Sequence, residues 1–225
     1  MSNKITELVF ILDKSGSMAG MESDVVGGFN SLIKEQKTGE GKVLVSTVLF
    51  SSYSQVLHDR VSLEKVEEMK VGDYKVGGST ALLDAIGNAV RHIGNIHKYA
   101  RPEDVPEKTL FVITTDGMEN ASREFSSEKV KQMIKRQTEK YGWEFLFAAA
   151  NIDAVETAET IGIRRDRAAN YNVERGTSAM FKEMESAIRD VRSCGKVRDS
   201  WAYDFEMAQS AAITPKTPQN GNESK

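Results

Sequence analysis

The sequence predicts a doubly wound α/β fold, with a mostly parallel central sheet, one antiparallel edge strand and helices on both faces. Three observations predict it. Apolar runs of strand length alternate along the chain with longer stretches of helical periodicity. Two of those runs, residues 8–12 (LVFIL) and 109–114 (TLFVIT), lack the polar alternation of a half-exposed strand and are followed by acids, Asp13 and Asp116. Finally, the strand-like run 42–50 (KVLVSTVLF) reaches a second run, 55–61, through residues 51–54 alone. A link that short forces an antiparallel pair and makes the second member a sheet edge.

The elements follow in order. Residues 24–37 carry Val25, Val26, Phe29, Leu32 and Ile33 at helical spacing and end at Gly39 and Gly41, although Gly27 and Gly28 weaken the pattern. A brief helix is expected over 62–69. Residues 76–81 (VGGSTA) open a long helix whose stripe is Leu82, Leu83, Ile86, Val90, Ile93 and Ile96, ending near Tyr99. The proline-containing stretch 101–108 is a loop. A helix over 127–141 turns Val130, Met133, Ile134 and Gln137 inward, and 143–150 (WEFLFAAA) is a strand ending at Asn151. Asp153 and Glu156 have capping-box spacing for a short helix to Ile161. Residues 168–173 form the last strand. Residues 177–192 form an amphipathic helix with Met180, Phe181, Met184, Ala187, Ile188 and Val191 on one face. We expect one domain over 1–194, a C-terminal extension over 195–212 and a polar, disordered tail over 213–225. Trp201, Tyr203 and Phe205, in the extension, either dock back on the body or meet a partner.

Composition narrows the function. A chain of 225 residues, 40% hydrophobic and 28% charged, can bury a full core. A formal net charge of −3 and pI near 5.8 argue against a nucleic-acid footprint. Lys129, Lys131, Lys135 and Arg136 are interleaved with Glu128 and Glu139, as on a solvated helix face. The lone Cys194 excludes an intramolecular disulfide and a thiolate metal cluster. The amino terminus has no signal-peptide pattern, and no run is long enough to span a bilayer, so a cytoplasmic location is expected.

The informative stretch is residues 13–18, DKSGSM. Asp13, Ser15 and Ser17 set three oxygen side chains at alternate positions just past a strand, where open α/β sheets bind ligands, and Gly16 lets the chain turn between them. All the donors are oxygen, so a hard cation suits them. The same hexad also reads as an ordinary capped loop. Two distant pieces break the tie: Thr80 within GGSTAL, and Asp116 within TTDG. In this order and at these separations, the three pieces resemble the metal-ion-dependent adhesion site of von Willebrand factor A (VWA) domains, and the resemblance covers roughly residues 6–192. It implies a Rossmann-like VWA fold and a bound Mg²⁺ (or Mn²⁺ or Ca²⁺). By that resemblance Ser15 and Ser17 coordinate the ion, Thr80 binds directly when a partner is present, and Asp13 and Asp116 hold the ion directly or through water. The implied function is a metal-dependent protein interaction module, not an enzyme, whose ion grips an Asp or Glu of another protein. Stand-alone bacterial and phage domains of this kind resemble parts of stress-response and ATPase-associated complexes, so partners of that type are expected, with no nucleic acid or membrane.

Other classes fit less well. A haloacid-dehalogenase phosphatase needs a second Asp where Ser15 stands, and a nucleophile elbow needs Gly where Ala81 stands. Gly39 and Gly41 lack phosphate-loop spacing, since Val43 follows Lys42. A Mg²⁺- or Mn²⁺-dependent phosphate-ester hydrolase using Asp13 or Asp116, and a metal-independent scaffold binding through residues 201–205, are the alternatives. Lys14 adds a charge beside the site and is expected to point to solvent. His92 and His97 are expected to be exposed. Met18 and Met21 are expected as filler, and Asp153 as a helix cap. Glu119, Asn120 and Asn151 stay open as lining residues.

Overall fold

A computed structural model describes residues 5–173 and 177–211. The expected disordered tail, 213–225, lies outside them. Six strands form one sheet in the order β3-β2-β1-β4-β5-β6, where β1 is Ile5–Asp13, β2 Lys42–Phe50, β3 Ser54–Ser62, β4 Lys108–Thr115, β5 Glu144–Ala149 and β6 Ala168–Asn170. Every pairing is parallel except β2 with β3, so the short 51–53 link produces the antiparallel edge. The apolar runs earn their central places by burial on both faces. Leu8, Phe10 and Leu12 face one core, together with Phe29 of α1 (Glu22–Gln36), Phe181 of α5 (Thr177–Cys194) and Trp201 of α6 (Trp201–Ala211). Val9 and Ile11 face the other, under α2 (Leu82–Tyr99), α3 (Ser127–Tyr141) and α4 (Ala154–Thr160).

The chain leaves β1 for β2 on one side and returns to β4 on the other. That reversal of strand order, between β1 and β4, opens the crevice in which such sheets hold ligands.

Several elements depart from their predicted bounds. Of the helix expected over 62–69 only a 3₁₀ turn, Leu63–Lys65, forms. Side chains of α1 and its end hold part of the rest: Asn30 brackets Met69 with two 2.9 Å bonds, and Lys37 Nζ donates to the Val66 carbonyl at 2.9 Å. Helix α2 starts at Leu82, because Gly77 and Gly78 sit at φ +151° and +83°, which a helix cannot use. Strand β6 stops at Asn170, and the Asn172 amide turns to Gln209 of α6 at 3.3 Å.

His97 is not exposed as expected. Its ring bonds Glu7, which is fully buried and also accepts from Arg60 Nε at 2.6 Å. His92 is half exposed and meets Asp59 at 2.9 Å. Residues 195–211 are part of the body: Trp201 and Phe205 are fully buried, and Arg167 reaches the Val197 carbonyl at 2.8 Å. Tyr203 stays 66% exposed, so of the three aromatic rings in the alternative scaffold surface over 201–205 that one remains outward.

Candidate metal centre

Asp13 closes β1, and Asp116 follows the last residue of the neighbouring strand β4. The two acids therefore meet at the carboxyl edge of the sheet, both buried. The loop after β1 folds back on its own acid, with the Ser15 amide donating to Asp13 Oδ1 at 2.7 Å. That bond turns Ser15 and Ser17 toward each other, 3.1 Å between hydroxyls, and Ser17 Oγ donates to Asp116 Oδ1 at 2.5 Å. Thr80 stands at the mouth of α2. A Cβ on Gly117 would lie 3.3 Å from Ser17 Oγ and 3.6 Å from Thr80 Oγ1, so glycine there leaves the space between the two hydroxyls open. All five predicted residues are thus brought to one place.

Further residues support them: Thr115, Tyr74 and Ser122, which sequence reasoning missed, and Glu119, Asn120 and Asn151, which it left open as lining residues. Thr115 Oγ1 donates to Asp13 Oδ2 at 2.6 Å, and the buried Tyr74 hydroxyl donates to the Asp13 carbonyl. Asn120 ties down Thr80 twice, accepting its amide at Oδ1 (2.9 Å) and donating its own amide to the Thr80 carbonyl (3.0 Å). Glu119 accepts the Leu83 amide at 2.9 Å, and Ser122 Oγ accepts that of Asp84 at 3.0 Å, which caps the otherwise open start of α2. Asn151, at φ +59°, donates to the Asp116 carbonyl at 3.4 Å. The TTDG tetrad held the signal for Thr115, and the places of Glu119, Asn120 and Asn151 just past strand-end turns held theirs; Tyr74 and Ser122 come from loops with no pattern of their own. Asp153 caps α4 through the Glu156 amide at 2.8 Å, and Met18 and Met21 are buried filler, both as expected.

The electrostatics are those of an uncompensated pair of acids. Burial holds the Asp13 carboxyl above the usual carboxylate range, against the hydrogen bonds from Thr115 and Ser15 that lower it. Burial also raises Asp116, and the charge of Asp13 adds to it. Among the described residues, Asp116 Oδ2 is buried without a hydrogen-bond partner. An orphaned carboxylate oxygen between a second acid and three hydroxyls fits a hard divalent cation, which neutralises both acids and accepts neutral oxygens in its remaining positions. Among the described residues no three His, Cys, Asp or Glu side chains gather to hold a metal, so this set depends on its hydroxyls.

Lys14 does not point to solvent as expected. The carbonyl of Lys14 accepts the Gly77 amide at 2.9 Å, and its side chain runs under the β2–β3 turn to Gln55, away from the hydroxyl cluster. Burial, and then the charge of Lys75, lower its pKa.

A family model described as a VWA domain containing CoxE-like protein matches residues 2–143. Among solved structures, the chain is similar to the ArnB paralog VWA2 from Sulfolobus acidocaldarius, with 19% identity and a TM-score of 0.52 over 83% of this chain and 45% of that one. A von Willebrand factor type A protein from Catenulispora acidiphila aligns at 14% identity and a TM-score of 0.54, over 82% of this chain and 42% of its own. Proximal thread matrix protein 1 from the mussel byssus gives 14% and 0.52, over 85% of this chain and 46% of its own. The chain therefore spans less than half the length of these proteins, and at such identities the likeness is one of fold. None of the curated proteins matches the chain.

Proposed function

We propose, from the premise that this chain belongs to the VWA domain family of CoxE-like proteins, that it is a metal-dependent protein interaction module. Asp13, Ser15, Ser17, Thr80 and Asp116 hold a divalent cation, Mg²⁺ being the best fit, and the ion is completed by an Asp or Glu of another protein. The observation that supports this reading most is Asp116 Oδ2, buried and without a partner among the described residues, on a carboxylate whose other oxygen bonds Ser17. Two carboxylates balance the charge of the ion, and hydroxyls fill positions without adding charge, so the ion stays electrophilic toward an outside acid. The surroundings suit a contact surface: Met118 is 72% exposed and Tyr53 70%, both at this edge of the sheet. No helix among the described residues is long and apolar enough to cross a membrane. We place the module in the cytoplasm and assign it no catalytic role.

The test is capture of a partner by the immobilised chain in Mg²⁺, followed by elution with EDTA. Release by EDTA and loss of capture by Asp13→Ala are expected. Binding that survives both removes the metal bridge. Turnover of phosphate esters with Mg²⁺ or Mn²⁺, abolished by the same substitution, would make the site hydrolytic instead.

A further inference from the structure

Lys14 lies between two of the proposed ligands in sequence, yet its ammonium belongs to a different space. The residue is only 5% exposed. Its Nζ donates to Gln55 Oε1 at 2.8 Å and lies 5.9 Å from the centre of the Tyr53 ring, and among the described residues no ion pair involves it. The one hydrogen bond its ammonium makes among the described residues goes to a neutral amide, which leaves donors and the positive charge for an outside anion.

The ammonium opens into a cavity of about 440 Å³ walled by Lys14, Tyr53, Gln55, Lys75, Gly77 and Gly78. A second cation, Lys75, thus shares the space. The acid on the wall, Asp73, accepts the Lys70 amide at Oδ2 at 2.9 Å, and among the described residues it makes no ion pair with Lys14 or Lys75. The Gly77–Gly78 backbone is the partition between this cavity and the metal cluster. On one side Gly77 N donates to the Lys14 carbonyl at 2.9 Å, and on the other Gly78 O accepts the Gly16 amide at 3.0 Å. The partition is thin because it carries no side chain: a Cβ on Gly78 would stand 2.7 Å from Ser52 Oγ.

We propose that this cavity is a second anionic subsite, in which Lys14 receives a carboxylate from the same partner segment whose first carboxylate completes the cation. The recognised feature is then a pair of acids a few residues apart. This rests on the cation-bridge reading above for the first acid, and on the geometry of Lys14 for the second. Tyr53, exposed at the rim, gives the intervening segment an aromatic face to lie on.

Peptides with blocked termini test it on the full chain: one with a single Asp in a Gly/Ser context, and a set with a second Asp one to four residues further on. Affinities are measured in Mg²⁺ and in EDTA for the natural protein, Lys14→Met and Lys14→Arg, with folding of each checked by circular dichroism. In Mg²⁺ at least one two-acid peptide is expected to bind about tenfold tighter than the single-acid peptide, as close charge pairs at interfaces do. That ratio is expected to fall to about one in Lys14→Met and to survive largely in Lys14→Arg. A ratio near one at every spacing, a ratio untouched by Lys14→Met, or no binding of any peptide overturns the subsite. A Lys14-dependent two-acid preference that persists in EDTA, with no Mg²⁺-dependent binding of the single-acid peptide, keeps the subsite and removes the cation bridge.

Discussion

Replacing Asp116 by Asn should invert the order of stability between the natural protein and its variant according to whether a divalent cation is present. Asp13 and Asp116 end neighbouring strands, so their carboxylates lie on the order of 6 Å apart, a little more than the strand spacing of about 4.8 Å. At an effective dielectric of about 20, two like charges at that distance repel by roughly 3 kcal/mol. Partial protonation relieves part of this, because both groups are pushed up by burial, leaving about 1–2 kcal/mol for the variant to recover. The amide keeps an oxygen for the Ser17 hydroxyl that Oδ1 now accepts, so little is lost on that side. With Mg²⁺ at a hundred times its dissociation constant the natural protein gains about 2.7 kcal/mol, and the variant, short of one anionic ligand, gains less. Urea unfolding in EDTA and in Mg²⁺ measures all four stabilities. The variant should be the more stable in EDTA and the less stable in Mg²⁺. A natural protein that is more stable than the variant in EDTA, or equal stabilisation of both by Mg²⁺, would refute the idea that these acids are held together for an ion.

Three further outcomes are expected. In EDTA, acidification should stabilise the natural protein relative to Asp116→Asn. The folded state holds protons on Asp13 and Asp116 that the unfolded state has released above the ordinary carboxylate pKa, so metal-free stability is lost as pH rises through the raised values; a gap between the two proteins that narrows as pH rises contradicts this. Trp201→Ala should cost about 3–5 kcal/mol in urea unfolding, since the ring is fully buried against Phe205 at 5.3 Å between centroids; a loss under about 1 kcal/mol would detach residues 195–211 from the body. Glu7→Ala should cost about 3 kcal/mol by the same measurement, because it strands Arg60 and His97 around a buried vacancy, and a neutral result would show that the pair contributes nothing net.

The parts of this molecule that could be read in advance are those written in local pattern. Strands β1 and β4 are legible because a strand buried on both faces must be apolar throughout, and α2, α3 and α5 because one buried stripe repeats at helical spacing. The five cluster residues are legible because each sits at a strand end or helix mouth that the pattern already locates. Lys14 is misread because its neighbours in sequence say nothing of Gln55, 41 residues away, which draws its side chain inward. His97 fails for the same reason: Glu7, its partner, is 90 residues distant and looks from its position like one more polar residue at the start of a strand. In place of the 62–69 helix, side chains of a distant element hold the backbone: Asn30 takes the Met69 amide that a helix would have given to the Lys65 carbonyl, and Asn30 and Lys37 bind the Met69 and Val66 carbonyls.

The loop that follows Asp116 is sewn to the head of α2 by Asn120, Glu119 and Ser122, and Asp84 of that helix reaches back to the amides of Arg123, Glu124 and Phe125. Residues 119–125 and the head of the helix are consequently held together by several bonds at once, and Thr80 is fixed to Asn120, four residues past Asp116. Helix α2 has 18 residues, a rod of about 27 Å, with His97 in its final turn. The two poles of the sheet are therefore joined by a single strut that starts beside the hydroxyls and ends on the buried Glu7.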